Sequence, residues 1–319
     1  MTILCKSLSA AKSRFPAMPR LANRVVPEGR FCQSPRAIVA MIGLIFCVAL
    51  VPSRSDAQAN ASSSPAGSFA SSWSTQAGGA QMRLISLPLS SGSKPVYDAA
   101  VEVKLPANAI TYWREPGEAG VPPRFSFQGS ENVAHANFLF PQPHRLSDDG
   151  IEAFGYRGGV TFPIRVIPVD ASKPTRLALT LDYAVCDRIC VPVKGHAELL
   201  LPRFGMSPDG AAILASEARV PKLLPAPAQA KKIEITREAG QAKPHWRFVW
   251  RGGEPTTDLF AEGPEGWAFA TRKTGDNSYS IAAIEMPTAA PATVPVKLTV
   301  TGPEPYEFVV PLALAPRSQ

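Results

Sequence analysis

The chain has 319 residues, with 33 lysines and arginines against 26 aspartates and glutamates, a formal net charge of +7, and five cysteines. A surplus of that size would suit a nucleic acid or an anionic membrane surface as partner. Its placement excludes both, because residues 1–59 hold eight of the basic and two of the acidic side chains and leave 25 against 24 in the remainder.

Residues 1–59 have the parts of an export signal. Arg14, Arg20, Arg24, Arg30 and Arg36 lead into the apolar run AIVAMIGLIFCVALV (Ala37 to Val51), and Ala57-Gln58-Ala59 follows as a small-residue cleavage site. The run is about 15 residues long, short of the ~20 that span a bilayer. Cleavage after Ala59 is therefore expected, rather than retention as a membrane anchor. Cys5, Cys32 and Cys47 leave with the signal, and only Cys186 and Cys190 remain.

Residues 60–79 are rich in Ser, Ala and Gly and read as a flexible leader, with Phe69 and Trp73 as exceptions and Trp73 placed to dock on the first domain. From 80 to 205 come short alternating runs broken by Pro and Gly, among them QMRLISLPL, YDAAVEVKLP, AITYWRE, VTFPIRVIPV and TRLALTLDYAV. That is the pattern of an all-β, immunoglobulin-like sandwich. In the clearest run, Leu177, Leu179, Leu181, Tyr183 and Val185 alternate with Arg176, Ala178, Thr180, Asp182 and Ala184, which places the first set on the core face.

Residues 206–230 read as a short helix within Met206 to Pro221, with Ser207 as its N-cap and Pro221 as its stop, followed by the Pro/Ala-rich linker PKLLPAPAQA. From 231 to 319 a second series follows, with seven short runs from KKIEITR to YEFVVPLAL. The expected fold is thus two immunoglobulin-like β-sandwich domains joined by a helix and linker. The second has no cysteine and no cluster of titratable groups, and reads as a packing or docking module.

The chemical lead is YAVCDRICVPVK (Tyr183 to Lys194). Residues four apart in an extended strand are separated by roughly 13 Å, whereas a disulfide needs Cα atoms about 4.4–6.8 Å apart, so the chain must turn within CDRIC. Asp187 suits that turn, and Pro192 stops it from running on as a helix. Three readings stand: a redox couple, a structural bridge, or a soft metal site with His196 as third ligand to Cu(I). A ring of about five residues stabilises by only about 2 kcal/mol in the loop-entropy model, which makes a poor staple. There is no Ser-His-Asp context, no HExxH and no glycine-rich phosphate loop.

Four segments in order carry a resemblance: TYWREPGEAGVPPRFSFQGSENVA (Thr111 to Ala134), FPQPHRLSDDGIEAFGYRGGVTFPIRV (Phe140 to Val166), LDYAVCDRICVPVKGHAELLLP (Leu181 to Pro202) and DLFAEGPEGW (Asp258 to Trp267). Together they resemble the N-terminal periplasmic domain of the thiol:disulfide interchange protein DsbD, and more closely the N-terminal region of ScsB-type membrane disulfide reductases. The resemblance implies a periplasmic thiol:disulfide oxidoreductase component whose cysteines alternate between dithiol and disulfide, with no other cofactor and no resident metal. A membrane-embedded reductase would supply electrons, and thioredoxin-like or disulfide-isomerase proteins of the periplasm would exchange them.

By position in the motif, Cys190 matches the cysteine that engages the substrate and Cys186 the one that resolves the mixed disulfide. Beside them, Arg188 would favour the thiolate and Asp187 oppose it. In DsbD an acidic and aromatic loop caps the pair, and its equivalent here runs from about Ser147 to Gly155. That makes Asp148, Asp149, Glu152 and Phe154 candidates for tuning and shielding, although the DsbD order of adjacent acids followed by two aromatics is not reproduced. Tyr112 and Trp113, at a strand end, belong either to the core or to the site. The cysteine spacing is shorter than in DsbD, and no reductase domain follows before Gln319, so the electrons are expected to come from another protein. Two alternatives remain: a Cu(I)-binding copper-tolerance protein, and a scaffold with an inert bridge.

Overall fold

Alternation along a strand sends successive side chains to opposite faces, and in this chain it builds two pairs of sheets. The computed structural model describes residues 67–118, 120–148 and 151–315. Asp149, the side chains of Ser147, Asp148 and Ile151, and the expected signal with its cleavage site lie outside that description.

The first pair of sheets contains β1 (Ser74–Thr75), β2 (Gln81–Ser86), β3 (Tyr97–Lys104), β4 (Ile110–Gly117), β5 (Arg124–Ser126), β6 (Val133–Phe138), β7 (His144–Asp148), β8 (Ile151–Arg157), β9 (Gly159–Pro168), β10 (Thr175–Cys186) and β11 (Cys190–Leu201). One sheet runs β1-β2-β3-β9-β6 and the other β11-β10-β4-β8-β7, with β5 paired to β10. Between them lie Met82, Leu84, Val101, Phe162 and Ile164 from the first and Leu177, Leu179, Leu181, Tyr183 and Val185 from the second. Fully burying each such side chain contributes about 1.5–3 kcal/mol. The alternating run of β10 faces inward as its pattern requires.

Two segments depart from the sequence reading. The stretch from Ser68 to Thr75, expected to belong to a flexible leader, is paired to the first sheet. Ala70 bridges Ile85, Ser74 and Thr75 pair with Met82 and Gln81, and the Ser71 amide donates to the Leu84 carbonyl at 2.8 Å. The open hydrogen-bonding edge of β2 recruits whatever backbone lies next to it, and a Ser-rich segment can supply that pairing. Trp73 docks as expected, its ring 4.7 Å from the Arg83 guanidinium carbon and 4.0 Å from Lys104 Nζ.

The second departure is the linker. Helix α1 (Gly210–Ala218) falls within the expected segment and buries Ile213 against Ile85 and Ala100. Its N-cap is Asp209, however, and Ser207 Oγ instead accepts from the Asp209 amide at 3.3 Å. Beyond it, PKLLPAPAQA folds as β12 (Lys222–Leu223), parallel to the last strand, and helix α2 (Ala226–Lys232), with Pro at its first turn.

The second pair of sheets contains β13 (Ile233–Glu238), β14 (His245–Trp250), β15 (Leu259–Glu262), β16 (Ala268–Gly275), β17 (Ser278–Glu285), β18 (Thr293–Val300) and β19 (Tyr306–Ala313), in the orders β13-β14-β17-β16 and β12-β19-β18-β15. Trp246, Phe248, Tyr279, Ile281, Val296, Leu298 and Phe308 fill the space between them.

The two pairs meet through β15. Phe260 joins the first core, its ring 5.7 Å from Trp113 and 4.8 Å from Phe154. Around that contact Arg114 binds Glu262 through two nitrogens, at 2.9 and 2.8 Å, and Glu307 at 2.7 Å, while Arg145 holds Asp258 at 2.9 and 3.0 Å. Burial alone would lower the pKa of Arg114, but Glu262 and Glu307 outweigh it and hold the guanidinium above its usual value.

Candidate functional site

The hairpin of β10 and β11 is paired without interruption from Thr175–Leu201 to Cys186–Cys190. Asp187, Arg188 and Ile189 form the turn beyond the last pair, and Cys186 also pairs with Ile110 of β4. The turn demanded by the cysteine spacing is therefore the tip of a hairpin, and it brings the two Cα atoms to 4.0 Å, with Cys186 and Cys190 joined as a disulfide.

The two halves of this bond sit in different surroundings. Cys186 is buried at 4% exposure, on the outward face of its sheet, among Ile110, Tyr112, Leu146, Ala153 and Ala184. Cys190 is exposed, as are Asp187, Arg188 and Ile189. The Tyr112 hydroxyl donates to Cys186 Sγ at 3.1 Å and lies 3.5 Å from Cys190 Sγ. A cleft of ≈ 340 Å³ opens beside Cys186, lined also by Asn108, Arg157, Asp187 and Arg188. Arg157 Nη1 donates to the Asn108 carbonyl at 2.9 Å.

Of the residues singled out in the sequence, Cys186, Cys190, Tyr112, Asp187 and Arg188 come together. Trp113 does not: it is fully buried in the first core and packs on Phe260. The expected cap is also corrected. Glu152 forms an ion pair with Arg145, and Phe154 lies in the first core against Phe260, so neither stands over the sulfurs. The reason is parity, since Ala153 faces the cysteines while its neighbours Glu152 and Phe154 face the other way. Asp149 and the side chain of Asp148 lie outside the described residues. His196, weighed as a metal ligand, pairs with Thr180 six ladder steps from the cysteines, about 20 Å along the strand, and is bonded to Thr180 and Glu198. Among the described residues no group of three or more His, Cys, Asp or Glu side chains is placed to hold a metal ion.

Sequence reasoning missed Ile110, Leu146, Ala153 and Arg157. The pairing of β4 with β8, Ile110 opposite Arg157 and Tyr112 opposite Gly155, gathers them together with the pairing of β7 with β8, Leu146 opposite Ala153. A Cβ at Gly155 would lie 2.1 Å from the Thr111 carbonyl oxygen, so glycine there is required by the close approach of the two strands. The signal available was the glycine in AFGYR, whose meaning depends on knowing its partner strand.

Comparison with known proteins bears on this site. No curated protein matches the chain. Among solved structures it is similar to the N-terminal periplasmic domain of ScsB from Proteus mirabilis, at 19% sequence identity and a TM-score of 0.60, over 78% of this chain and 100% of that one. At that identity the likeness speaks for the fold. No helix of the described residues is long and apolar enough to cross a membrane. Residues 89–202 match the family model described as thiol:disulfide interchange protein DsbD, N-terminal. That segment contains both cysteines and the strands that hold them, and its match together with the disulfide supports a thiol–disulfide exchange domain of the DsbD N-terminal type.

Proposed function

We propose that this protein is a periplasmic thiol–disulfide relay, which takes electrons from a membrane-embedded reductase by way of a thioredoxin-like donor and passes them to thioredoxin-like or disulfide-isomerase clients. The observation that carries the reading is the asymmetry of the pair: one cysteine exposed at a hairpin tip, the other buried behind it. A thiolate is the attacking species in exchange. An incoming partner reaches Cys190, so Cys190 forms the mixed disulfide and Cys186 resolves it.

In the reducing direction, the Cys190 thiolate attacks a client disulfide and releases one client thiolate. The Cys186 thiolate then attacks Cys190 Sγ, closing the intramolecular bond and releasing the second client thiolate. Two electrons pass from this protein to the client, and the client thiolates take up two protons from solvent. The second pair of sheets contributes Phe260 and the carboxylates that bind Arg114 and Arg145, and in this reading it braces the strands behind the site.

The test is the reduction potential of the Cys186–Cys190 bond in the folded protein, with trapping of partners by Cys186→Ala and Cys190→Ala variants. A value between about −120 and −270 mV, with Cys186→Ala trapping a thioredoxin-like partner and Cys190→Ala trapping none, is the expected result. A value below about −300 mV, or a bond that opens only when the protein unfolds, would make it a structural bridge and end the proposal.

A further inference from the structure

Exchange at an asymmetric pair raises a charge problem at the buried sulfur. When a partner thiolate attacks Cys190 Sγ, the new bond forms there as the Cys186–Cys190 bond breaks. The electron pair of the broken bond stays on Cys186 Sγ, which becomes a thiolate. A second partner thiol, once deprotonated, then attacks the mixed disulfide and displaces Cys190, leaving the partner oxidised and both cysteines reduced. In the opposite direction Cys186 must be a thiolate in order to attack. Both directions therefore place negative charge on the sulfur of a cysteine that is 4% exposed and surrounded by Ile110, Leu146, Ala153 and Ala184. Apolar burial of this kind disfavours the charged form.

The charged groups that share the cleft with Cys186 are Asp187 and Arg188 from the turn and Arg157 from β8. Asp187 and Arg188 are exposed, and Arg157 is engaged with the Asn108 carbonyl. Tyr112 Oη, by contrast, touches the sulfur, donating to Cys186 Sγ at 3.1 Å. Its ring is held from the side by Gly120, whose φ is +140° and where a Cβ would lie 2.5 Å from Tyr112 Cε1. Tyr112 itself is only 5% exposed. The hydroxyl is thus fixed in place before the charge appears, which is the condition under which a hydrogen-bond donor stabilises developing charge most effectively.

We propose that Tyr112 is a catalytic residue of the exchange reaction, whose hydroxyl stabilises the Cys186 thiolate as it departs from or attacks Cys190 Sγ. The inference rests on the exchange reading of the pair. It adds that the phenol at this position supports the chemistry directly, and that the glycine at 120 serves to aim it. The hydroxyl also lies 3.5 Å from Cys190 Sγ, so as the sulfurs separate it can follow the one that carries the charge.

The experiment uses the mature chain and its Tyr112→Phe variant, which keeps the ring and removes the hydroxyl. The readouts are the second-order rate of disulfide reduction by dithiothreitol and the thiol titration of Cys186 in a Cys190→Ser background. The expected results are a rate lowered about tenfold and a Cys186 titration moved up by about one pH unit, the lower end of what a hydrogen bond to a charged group supplies. Gly120→Ala, which displaces the ring, should reproduce the loss of rate while Tyr112 is still present. Unchanged rate and titration in a folded Tyr112→Phe protein would overturn the proposal. Because dithiothreitol replaces the protein partner, that failure is distinct from failure of the relay reading, which would show as absent trapping with a normal small-thiol rate.

Discussion

On β4, Tyr112 turns to the disulfide and Trp113 to the first core and Phe260; on β8, Ala153 and Phe154 divide in the same way. The two regions share a backbone and are built differently. The outward side holds small and aliphatic groups, one phenol and an exposed turn, so little packing would have to move for the bond between the cysteines to open. The inward side holds three aromatic rings, with Arg114 and Arg145 bound to Glu262, Glu307 and Asp258. Its role is to fix the strands. On the exchange reading, a region that changes its covalent bonds stands directly behind a region that resists change, and one residue of register separates them.

If that division is right, stability and exchange should respond separately to most substitutions and together to one. Gly155→Ala is the exception, because its Cβ would fall 2.1 Å from the Thr111 carbonyl oxygen and force β4 and β8 apart. We expect a loss of about 4 kcal/mol by chemical denaturation, the range reserved for backbone lesions in a core, together with altered exchange kinetics. Phe260→Ala comes next. Phe260 is fully buried against Trp113 and Phe154, and truncating a buried Phe costs about 3 kcal/mol or more through lost contacts and the cavity left behind. Its rate of reduction by dithiothreitol should stay within twofold of the parent. A large change in that rate would show that the two faces are coupled rather than separate.

Most of the sheets were legible in the sequence because the longer strands carry their own alternation, and the run from Leu177 to Val185 needs no knowledge of its neighbours. Cys186 and Cys190 were legible for the same local reason, since their spacing forces a turn. What escaped was whatever depends on a partner. Phe154 and Glu152 lie in the segment that corresponds by position to the DsbD cap, yet their parity points them away from the cysteines. Ser68 to Thr75 carries no strand pattern, and it is paired to the sheet, through a bridge at Ala70 and the short strand β1, because β2 offers an open edge. The pairing of β4 with β8 joins residues about forty apart, and it takes that pairing together with those of β4 with β10 and β7 with β8 to reveal Ile110, Leu146 and Ala153 as the walls around Cys186.

The smallest expected effect tests the inward region through its charge. Glu115 follows Arg114 on β4, and its carboxyl is held above the usual value, first by burial and then by the nearby Glu262 carboxylate, against a backbone amide at Gly117 that acts the other way. A folded-state pKa above the unfolded one means that the fold favours the protonated acid. Stability from this group is thus present at low pH and is lost as pH rises through the unfolded value, about 4.5, toward the raised folded one. Glu115→Gln removes that charge while keeping the shape. It should raise the melting temperature slightly at pH 7, and the gain should shrink toward zero as pH falls below about 4.5, where the parent carboxyl is protonated in both states. A gain that persisted at low pH would trace the effect to packing or to the amide's own hydrogen bonds. A change in the thiol exchange rate of this variant at neutral pH would show that charge on the inward face is felt at the sulfurs, and would narrow the separation between the two regions from independence to insulation by distance alone.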